Sequence, residues 1–367
     1  MTIRILSLTV NPDRPTTETF IGFHRAGLTI TVVCPPEHPH HSLLRDAGVP
    51  TLDLRFERKI DFKAIFALRA ELKRGRYDIV HTYSNNALSN TLLAAGGLPI
   101  KIVAYRGIVA AVGFLDPVSW LRYLNPRIDR IICVCDAIRD HFLNMRPKFL
   151  RMPAERPVTV YKGHKLEWYT AEPADLSEFG IPDGAFVIAC ITNNRPRKGL
   201  QYLVAAMALL PSDIPAHLLL VGRMRGKTLD RAIENSPVKE RIHRPGFRHD
   251  APAVSAASDV FCLPSVKREG LSRSVIEAMA YRVPPIVTNS GGSPELVVDG
   301  KSGLVVPVRD ARAIAAALET LYRDPEYRAK LGEGARARIG RDFRNEDTVS
   351  NIIAVYRDLV PGSHTTK

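Results

Sequence analysis

Short apolar runs alternate with segments of helical periodicity from the start of the chain. Residues 3–10 (IRILSLTV) predict a buried strand, residues 16–27 place apolar side chains at helical spacing and end at a glycine, and residues 28–34 (LTITVVC) predict a second strand. A strand, a helix and a strand in about thirty residues form a βαβ unit. Its repetition predicts a parallel, doubly wound sheet. Further strands are predicted at 77–84, 100–108 and 130–135.

The same pattern begins again in the second half of the chain. Residues 186–210 predict a strand, a loop containing glycine and proline, and an amphipathic helix. Between the two series, residues 162–183 are rich in turn-forming residues, which indicates a link between domains. We therefore expect an N-terminal domain of residues 1–165 and a C-terminal domain of residues 166–346, each a Rossmann-like, doubly wound α/β fold. Further strands of the second series are predicted at 216–223, 259–264 and 283–289.

The composition is that of a globular protein large enough for two domains. The 367 residues are 45% hydrophobic and 24% charged. No apolar run approaches the roughly 18 residues of a membrane span, and the first residues lack the features of a secretory leader, so we expect a cytoplasmic protein. The five cysteines lie mostly in apolar, strand-like runs. This pattern favours reduced, buried thiols over a zinc site.

The formal net charge of +13 is concentrated in the first half of the chain. Residues 1–165 hold 24 Lys and Arg against 14 Asp and Glu, whereas residues 166–367 hold 27 against 24. A basic half favours an anionic partner: a lipid leaflet, a phosphorylated acceptor or nucleic acid. Solvated charge without a partner is the alternative. The sequence contains no recognisable nucleic-acid-binding module and no single basic helix, so we expect no nucleic-acid partner.

Two stretches of the first half combine basic and aromatic side chains. They are residues 112–130 (VGFLDPVSWLRYLNPRIDR) and 142–157 (FLNMRPKFLRMPAERP). Amphipathic basic segments with aromatic residues lie in lipid headgroup regions, which indicates peripheral association with the inner leaflet of a membrane. Helices that pack in the core and extend their arginines into water are the alternative, and the sequence slightly favours it.

Two carboxylates eight positions apart mark a predicted strand-to-helix junction in the second half. Glu269 follows a buried apolar run, Gly270 allows a sharp turn, and Glu277 lies about two turns into the helix that follows. Ser272 or Ser274 can cap that helix. The free amides and the partial positive charge of a helix start suit a phosphate. The two carboxylates can therefore reach groups on either side of a bound diphosphate, where a nucleotide-sugar has hydroxyls.

This segment resembles the E-x7-E signature of the family 4 retaining glycosyltransferases, which have the GT-B fold. The resemblance is carried by EGLSRSVIE (269–277), by the AMA that follows it and by GGSPELVVDGKSGLVVP (291–307). It extends over nearly the whole chain and is strongest from about 185 to 340. It implies two Rossmann-like domains facing a central cleft, with the last helix, near residues 347–361, packing back on the first domain.

The resemblance implies transfer of a sugar, with retention of configuration, from a nucleoside-diphosphate sugar to a hydroxyl of a glycan or lipid-linked acceptor. Biosynthesis of cell-surface polysaccharide or glycolipid is the expected context. No D-x-D occurs in the chain, so the metal-chelating pair of the other main glycosyltransferase fold is missing, and neither a metal nor a cofactor is expected. Closure of the domains over the donor would exclude water, and the leaving phosphate is one candidate for the acceptor's base.

The resemblance also assigns donor-binding residues. Glu277 is expected to hold the ribose hydroxyls of the donor, and Glu269 to contact hydroxyls of the donor sugar. The loop NNRPRKG resembles one in which a basic pair grips the donor diphosphate, and Arg195 and Lys198 stand at those positions, while Arg197 is expected at the surface. Fixed cations there would stabilise the charge of the leaving diphosphate. The further donor contacts are expected at Gly270, Leu271, Ser272, Gly292 and Phe247.

The first half departs from the family pattern at several positions. Its first loop, NPDRP, lacks the family's glycine pair, and Lys162 replaces an asparagine. Arg106 stands where the family has a histidine close to the transferred sugar, and it is a catalytic candidate. Arginine can serve a phosphate, a carboxylate or the leaving group but cannot accept a proton. His81 is equally suited to a structural role and to an acceptor contact, and Tyr83 replaces the family's second histidine.

Two other functions fit parts of the sequence. The departures at the first loop and at Arg106 fit a catalytically inactive relative that acts as a binding subunit. A sugar-nucleotide epimerase of the GT-B fold is the second alternative, although such an enzyme does not need a basic, aromatic first half. Donor hydrolysis or transfer activity would separate an enzyme from the inactive relative.

Overall fold

The structure of the chain is a computed structural model that describes residues 2–109, 112–147 and 149–361. Lys148, within the basic and aromatic stretch 142–157, lies outside the described residues. The chain divides into two compact units. Unit 1 comprises Met1–Gly163 and Phe343–Lys367, and unit 2 comprises His164–Asp342.

Unit 1 is built on a parallel sheet with the strand order β3-β2-β1-β4-β5-β6-β7. Each neighbouring pair of strands is parallel, as the repeated strand–helix pattern predicts. The order reverses at β1, which lies between β2 and β4, and this is the topology of a doubly wound fold. The strands are β1 (Arg4–Leu8), β2 (Thr29–Val33), β3 (Thr51–Leu52), β4 (Ile79–Thr82), β5 (Lys101–Arg106), β6 (Arg130–Cys133) and β7 (Pro157–Thr159).

Side-chain caps begin several helices of unit 1. Asp13 accepts a hydrogen bond from the amide of Thr16 at 3.2 Å, so the first helix begins two residues before the predicted residue 16. Asp61 and Ser84 accept equivalent bonds from Ala64 and Ala87. The helices are α1 (Arg14–Arg25), α2 (His41–Asp46), α3 (Phe62–Gly75), α4 (Asn85–Ala94), α5 (Pro117–Trp120) and α6 (Asp136–Leu143).

Unit 2 repeats this architecture around a second parallel sheet with the order β10-β9-β8-β11-β12-β13. Here the order reverses at β8. The strands are β8 (Phe186–Ile191), β9 (Ala216–Val221), β10 (Ile242–Gly246), β11 (Val260–Leu263), β12 (Pro285–Thr288) and β13 (Leu304–Val306).

The helices of unit 2 follow its strands in alternation. They are α7 (Leu200–Met207), α8 (Lys227–Glu234), α9 (Ala251–Ala256), α10 (Arg273–Ala280), α11 (Ser293–Leu296), α12 (Ala311–Arg323) and α13 (Pro325–Asp342). Short 3-10 helices occur at Leu166–Trp168, Leu176–Phe179, Pro196–Lys198 and Lys239–Arg241.

The last helix, α14 (Asn345–Leu359), belongs to unit 1. The amide of Gly163 donates to Thr348 Oγ1 at 2.7 Å, and Asn345 Nδ2 donates to the carbonyl of Pro15 at 3.2 Å. The Tyr356 ring is buried and lies edge-on to Phe23 in the core of unit 1. The chain therefore completes the core of its first unit only with its final helix.

All five cysteines are buried with free thiols. In the part of the chain that the structure describes, no helix combines the length and the apolar character needed to cross a bilayer.

Candidate active site

The carboxyl ends of the strands of unit 2 bring four loops to one edge of the sheet. β8 lies between β9 and β11, and it is the strand at which the order of the sheet reverses. Ligands of doubly wound sheets bind at such a switch point. The loops that follow β8, β10, β11 and β12 contain most of the predicted site residues.

A buried ion pair joins the loop after β8 to the loop after β11. Lys198 Nζ lies 3.1 Å from Glu269 Oε1 and 2.9 Å from Oε2, and both side chains are buried. Ser265 Oγ donates to Glu269 Oε2 at 2.6 Å. Such pairing and hydrogen bonding is what allows ionised groups to be buried. Glu269, predicted to contact the donor sugar, and Lys198, predicted to hold the diphosphate, therefore contact each other.

Two glycines allow the loops around this ion pair to approach each other. Gly291 has a φ of +57°, and a Cβ atom there would lie 2.1 Å from the carbonyl oxygen of Glu269. The next amide, of Gly292, donates to that same carbonyl at 3.2 Å. Gly199 has a φ of +65°, and a Cβ atom there would lie 2.3 Å from the carbonyl oxygen of Pro264. Only glycine fits either position, so the loop after β12 packs on the backbone of Glu269 and the loop after β8 packs on that of Pro264.

Arg197, predicted at the surface, is instead largely buried beside the ion pair. Its side chain is 20% exposed, and Nη1 lies 3.9 Å from Glu269 Oε2. That nitrogen has no hydrogen-bond partner among the described residues and is itself buried. Two cations thus face one carboxylate, which leaves a net positive charge at the switch point. A buried donor without an acceptor is costly, and an anionic ligand would supply the acceptor.

The helix that follows Glu269 begins, in the part of the chain that the structure describes, without a side-chain cap. Ser272 is the N-cap residue of α10, but its side chain makes no capping hydrogen bond within the described part of the chain, and its Oγ lies 3.2 Å from Ser274 Oγ. The predicted capping by one of these serines is therefore not observed. Glu277 lies on α10 with its carboxylate 3.5 Å from Nε of Arg273. The start of α10 leaves helical amides available for an oxyanion.

A cavity of about 900 Å³ opens at the carboxyl ends of β8, β9 and β10. Arg195 and Phe247, both predicted donor contacts, lie in its wall, and the Phe247 ring is 62% exposed. Asp230 is paired with Arg244 at 2.6 Å. The lining is otherwise cationic and neutral, which favours an anion bearing an aromatic group. The lining residues are Asn193, Asn194, Arg195, Gly222, Arg223, Met224, Arg225, Asp230, Arg244, Gly246 and Phe247.

Arg195 and Lys198 therefore have different surroundings, although the sequence predicts both at one diphosphate. Arg195 is exposed in the cavity, whereas Lys198 is buried against Glu269. The two asparagines before Arg195 hold the neighbouring loop: Asn193 Oδ1 accepts from the amide of Arg223 at 3.0 Å, and Asn194 Nδ2 donates to the carbonyl of Arg225 at 3.2 Å. The cavity arginines at 223 and 225 were not predicted; the signal for them was the basic run after β9.

Arg106 belongs to unit 1 and is the last residue of β5. Its side chain is buried, Nε donates to the carbonyl of Ile108 at 3.1 Å, and the guanidinium carbon lies 4.5 Å from the centroid of the Tyr123 ring. This cation–π contact and hydrogen bond fix the guanidinium group. Arg106 forms no ion pair with the residues that the structure describes.

His81 occupies a structural position in unit 1. Its ring is fully buried, Nδ1 lies 2.6 Å from Tyr356 Oη and 3.1 Å from Tyr83 Oη. Burial lowers the pKa of His81 to about 3, so the ring is neutral at physiological pH. Of the two roles that the sequence leaves open, this environment favours the structural one.

The first loop of unit 1 is held by an ion pair where glycines are missing. Lys162 Nζ lies 2.7 Å from Asp13 Oδ1 and 2.6 Å from Oδ2. Burial raises the pKa of Asp13. The charge and hydrogen bonds of Lys162, together with the hydrogen bonds of Thr16, outweigh burial and hold that pKa well below its usual range. Lys162, which replaces the family's asparagine, therefore pairs with Asp13 of the first loop, which lacks the family's glycine pair.

The described residues contain no group of three His, Cys, Asp or Glu side chains arranged to hold a metal ion.

Two family models match the chain. The model described as Glycosyltransferase Family 4 matches residues 16–168, and the model described as Glycosyl transferases group 1 matches residues 172–338. Together they span most of both units.

Similar proteins come from several bacteria. N-acetyl-alpha-D-glucosaminyl L-malate synthase of Bacillus anthracis is 32% identical over 184 residues, which are 50% of this chain and only about half, 48%, of that protein. The UDP-Gal:alpha-D-GlcNAc-diphosphoundecaprenol alpha-1,3-galactosyltransferase of Escherichia coli is 24% identical over 98% of this chain and 96% of that protein. Anabaena HepE, solved in complex with UDP, has a TM-score of 0.76 at 20% identity, covering 98% of this chain and 100% of that one. The last likeness shows the fold.

Each unit is a doubly wound α/β fold, and unit 2 has a carboxylate and two cations at the switch point of its sheet. Doubly wound α/β proteins bind nucleotides at this point. The chain belongs to glycosyltransferase family 4, whose members have the GT-B fold. The family predicted from the E-x7-E segment is confirmed, and so is the pair of Rossmann-like domains.

Proposed function

We propose that the protein transfers a sugar, with retention of configuration, from a nucleoside-diphosphate sugar to a hydroxyl of a glycan or lipid-linked acceptor. The observation that carries the proposal is the excess of positive charge around Glu269, next to the open amides of α10. A diphosphate completes this site, because it supplies acceptors for Arg197 and for the amides of Gly270, Leu271 and Ser272.

The proposed chemistry follows from the negative charge that develops on the leaving diphosphate during the reaction. The acceptor oxygen forms a bond to the anomeric carbon, the bond between that carbon and the diphosphate oxygen breaks, and the leaving diphosphate gains negative charge and takes the proton of the acceptor hydroxyl. Lys198 and Arg197 stabilise that charge from fixed positions in a water-poor site. Since protein cations supply the neutralisation, the reaction proceeds without a metal ion. Glu269 accepts a hydrogen bond from a hydroxyl of the donor sugar while Lys198 stays beside its carboxylate.

The cavity takes the nucleoside end of the donor in this proposal. The exposed ring of Phe247 offers a face for a nucleobase, and Arg195 lies in the same wall. Glu277 accepts from the ribose hydroxyls, and the backbone at Gly292 lies beside the donor sugar. HepE was crystallised with UDP, which supports a nucleoside diphosphate as the leaving group here.

The acceptor is assigned to unit 1. The printed name of the Escherichia coli relative specifies a diphosphoundecaprenol-linked acceptor, and the basic character of residues 1–165 suits an acceptor that carries phosphate. We place the protein at the cytoplasmic leaflet of a membrane, in the synthesis of a cell-surface polysaccharide or glycolipid.

A panel of nucleotide-sugars tests the proposal in two stages. A bound donor raises the melting temperature by mass action, so a thermal-shift screen identifies it, and release of the nucleoside diphosphate with a lipid-linked acceptor then measures transfer. NMR of the product's anomeric proton reports retention, and activity in EDTA reports metal independence. Binding of a donor without hydrolysis or transfer would instead favour the inactive relative, which the fixed guanidinium of Arg106 also fits. No shift with any nucleotide-sugar would refute the donor site.

A further inference from the structure

Exposed apolar side chains are unevenly distributed between the two units. Among the described residues, every exposed large hydrophobic side chain except Leu209 and Phe247 belongs to unit 1. The most exposed aromatic side chains on a helix are Phe62 and Phe66 of α3, each 71% exposed. Water-facing phenylalanines four residues apart on one helix face are unusual on a soluble surface and mark an interaction site.

The outer face of α3 combines these rings with basic side chains. We call it the α3 face and define it by Arg58, Lys59, Ile60, Phe62, Lys63, Phe66 and Lys73. The opposite side of α3 buries Ala64, Leu68 and Leu72, spaced four residues apart, against the unit. With about 3.6 residues per turn, Phe62, Phe66 and Lys73 therefore all point away from the core.

Of the three acidic side chains near the α3 face, Asp61 and Glu71 are engaged within unit 1, and Glu57 is exposed. Residues 55–76 contain eight Lys and Arg but three Asp and Glu. Asp61 caps α3 through the amide of Ala64, and Glu71 accepts hydrogen bonds from Tyr77 Oη at 2.7 Å and Arg74 Nε at 3.0 Å. The basic side chains of the α3 face therefore give it a net positive charge around Phe62 and Phe66.

Helix α4 fixes the α3 face and extends it. Asn90 Oδ1 accepts from the amide of Asp61 at 2.8 Å, and Asn90 Nδ2 donates to the carbonyl of Arg58 at 3.2 Å, which presents the residues before α3 in one conformation. On its other side, Ser89 of α4 accepts from Arg122 Nε at 2.9 Å, next to the exposed Leu121. Apolar side chains with basic neighbours thus flank α4 on both sides.

We propose that the α3 face binds the surface of an anionic lipid bilayer. Phe62 and Phe66 enter the headgroup region, Ile60 lies beside them, and the basic side chains contact acidic headgroups, with lysine stems lying along the apolar boundary. The two phenylalanine rings lie along a helix face and are surrounded by basic side chains. This arrangement fits a flat membrane surface better than a pocket of a partner protein. The inference rests on the proposed function in one respect, since a leaflet-bound enzyme meets a lipid-linked acceptor there.

Co-sedimentation of the full chain with vesicles tests the proposal in the absence of donor and acceptor, so its outcome is independent of the proposed transfer. We expect binding to phosphatidylcholine vesicles that contain phosphatidylglycerol, weak binding to phosphatidylcholine alone, and release by salt. Phe62→Ser with Phe66→Ser should lower the partition coefficient by about tenfold or more. Lys59→Glu with Lys63→Glu should lower it by at least about fivefold per side chain.

Two matched variants show whether the α3 face is responsible. Leu209→Ser removes an apolar side chain of unit 2 that is 51% exposed and should leave vesicle binding unchanged. Leu121→Ser with Phe149→Ser removes exposed side chains of the two predicted basic and aromatic stretches and should have the smaller effect. The proposal is overturned if the wild type binds no vesicle or binds neutral vesicles equally, or if the phenylalanine variant binds like the wild type. Circular dichroism establishes that each variant is folded.

Discussion

Replacement of Lys198 by methionine separates the structural and catalytic consequences of the buried ion pair. Methionine keeps the length of the side chain and removes its charge, so Glu269 remains buried with Ser265 as its hydrogen-bond donor and Arg197 at 3.9 Å. Removing one partner of a buried pair costs about 3–5 kcal/mol. Because two favourable partners stay in place, we expect a loss of about 3 kcal/mol in the free energy of unfolding of unit 2.

A second substitution tests whether that loss comes from an uncompensated charge. In Lys198→Met with Glu269→Gln the buried carboxylate is neutralised, and the remaining cation, Arg197, is 20% exposed and only 3.9 Å from position 269, so we expect the free energy of unfolding to recover by about 2 kcal/mol relative to the single variant. Urea unfolding followed by circular dichroism measures both values. Lys267→Ala, an exposed lysine of the same loop as Glu269, is the matched control and should be neutral.

Turnover should respond differently from stability. If Lys198 acts on the leaving diphosphate, kcat falls about 100-fold in Lys198→Met while donor affinity changes less, because the charge develops in the transition state. The double variant also lacks the proposed sugar contact of Glu269, so it is used for stability only, and the single variant reports the catalytic role. The reasoning is refuted if Lys198→Met unfolds at the wild-type urea concentration, or if it retains wild-type kcat.

Three further predictions concern Glu277, Arg197 and His81. Glu277→Ala should weaken donor binding by roughly 1–3 kcal/mol in titration calorimetry, since charge-assisted hydrogen bonds are lost, and unchanged affinity would remove it from the ribose role. Arg197→Ala should weaken nucleoside-diphosphate binding about tenfold and Arg197→Lys less, and an unchanged affinity in Arg197→Ala would remove Arg197 from the diphosphate site. Because the pKa of His81 is lowered to about 3 in the fold, the unfolded chain takes up a proton that the folded chain does not as the pH falls below about 6.5. About 2 kcal/mol of stability should therefore be lost between pH 7 and pH 5, and His81→Asn should remove that slope; an unchanged slope would contradict the assignment.

The sequence was sufficient for the strand–helix series and for the family. Apolar runs and helical periodicity are local properties of the sequence. Parallel strands place their carboxyl ends at one edge of the sheet, so Glu269 and Lys198 could be assigned to that edge from the sequence. The E-x7-E segment was recognisable for the same reason, because its turn, glycine and helix are contiguous in the chain.

Only the tertiary structure decided how these side chains are used. Lys198 and Glu269 are separated by 71 positions and meet because β8 and β11 are neighbours in the sheet. The same packing buries Arg197, whose local sequence is that of a surface loop, and it gathers Arg223 and Arg225 into the cavity wall. The exposure of Phe62 likewise depends on which side of α3 faces the unit. Periodicity specifies which residues share a face, but the charge balance and solvent access of a site depend on neighbours that only the folded chain supplies.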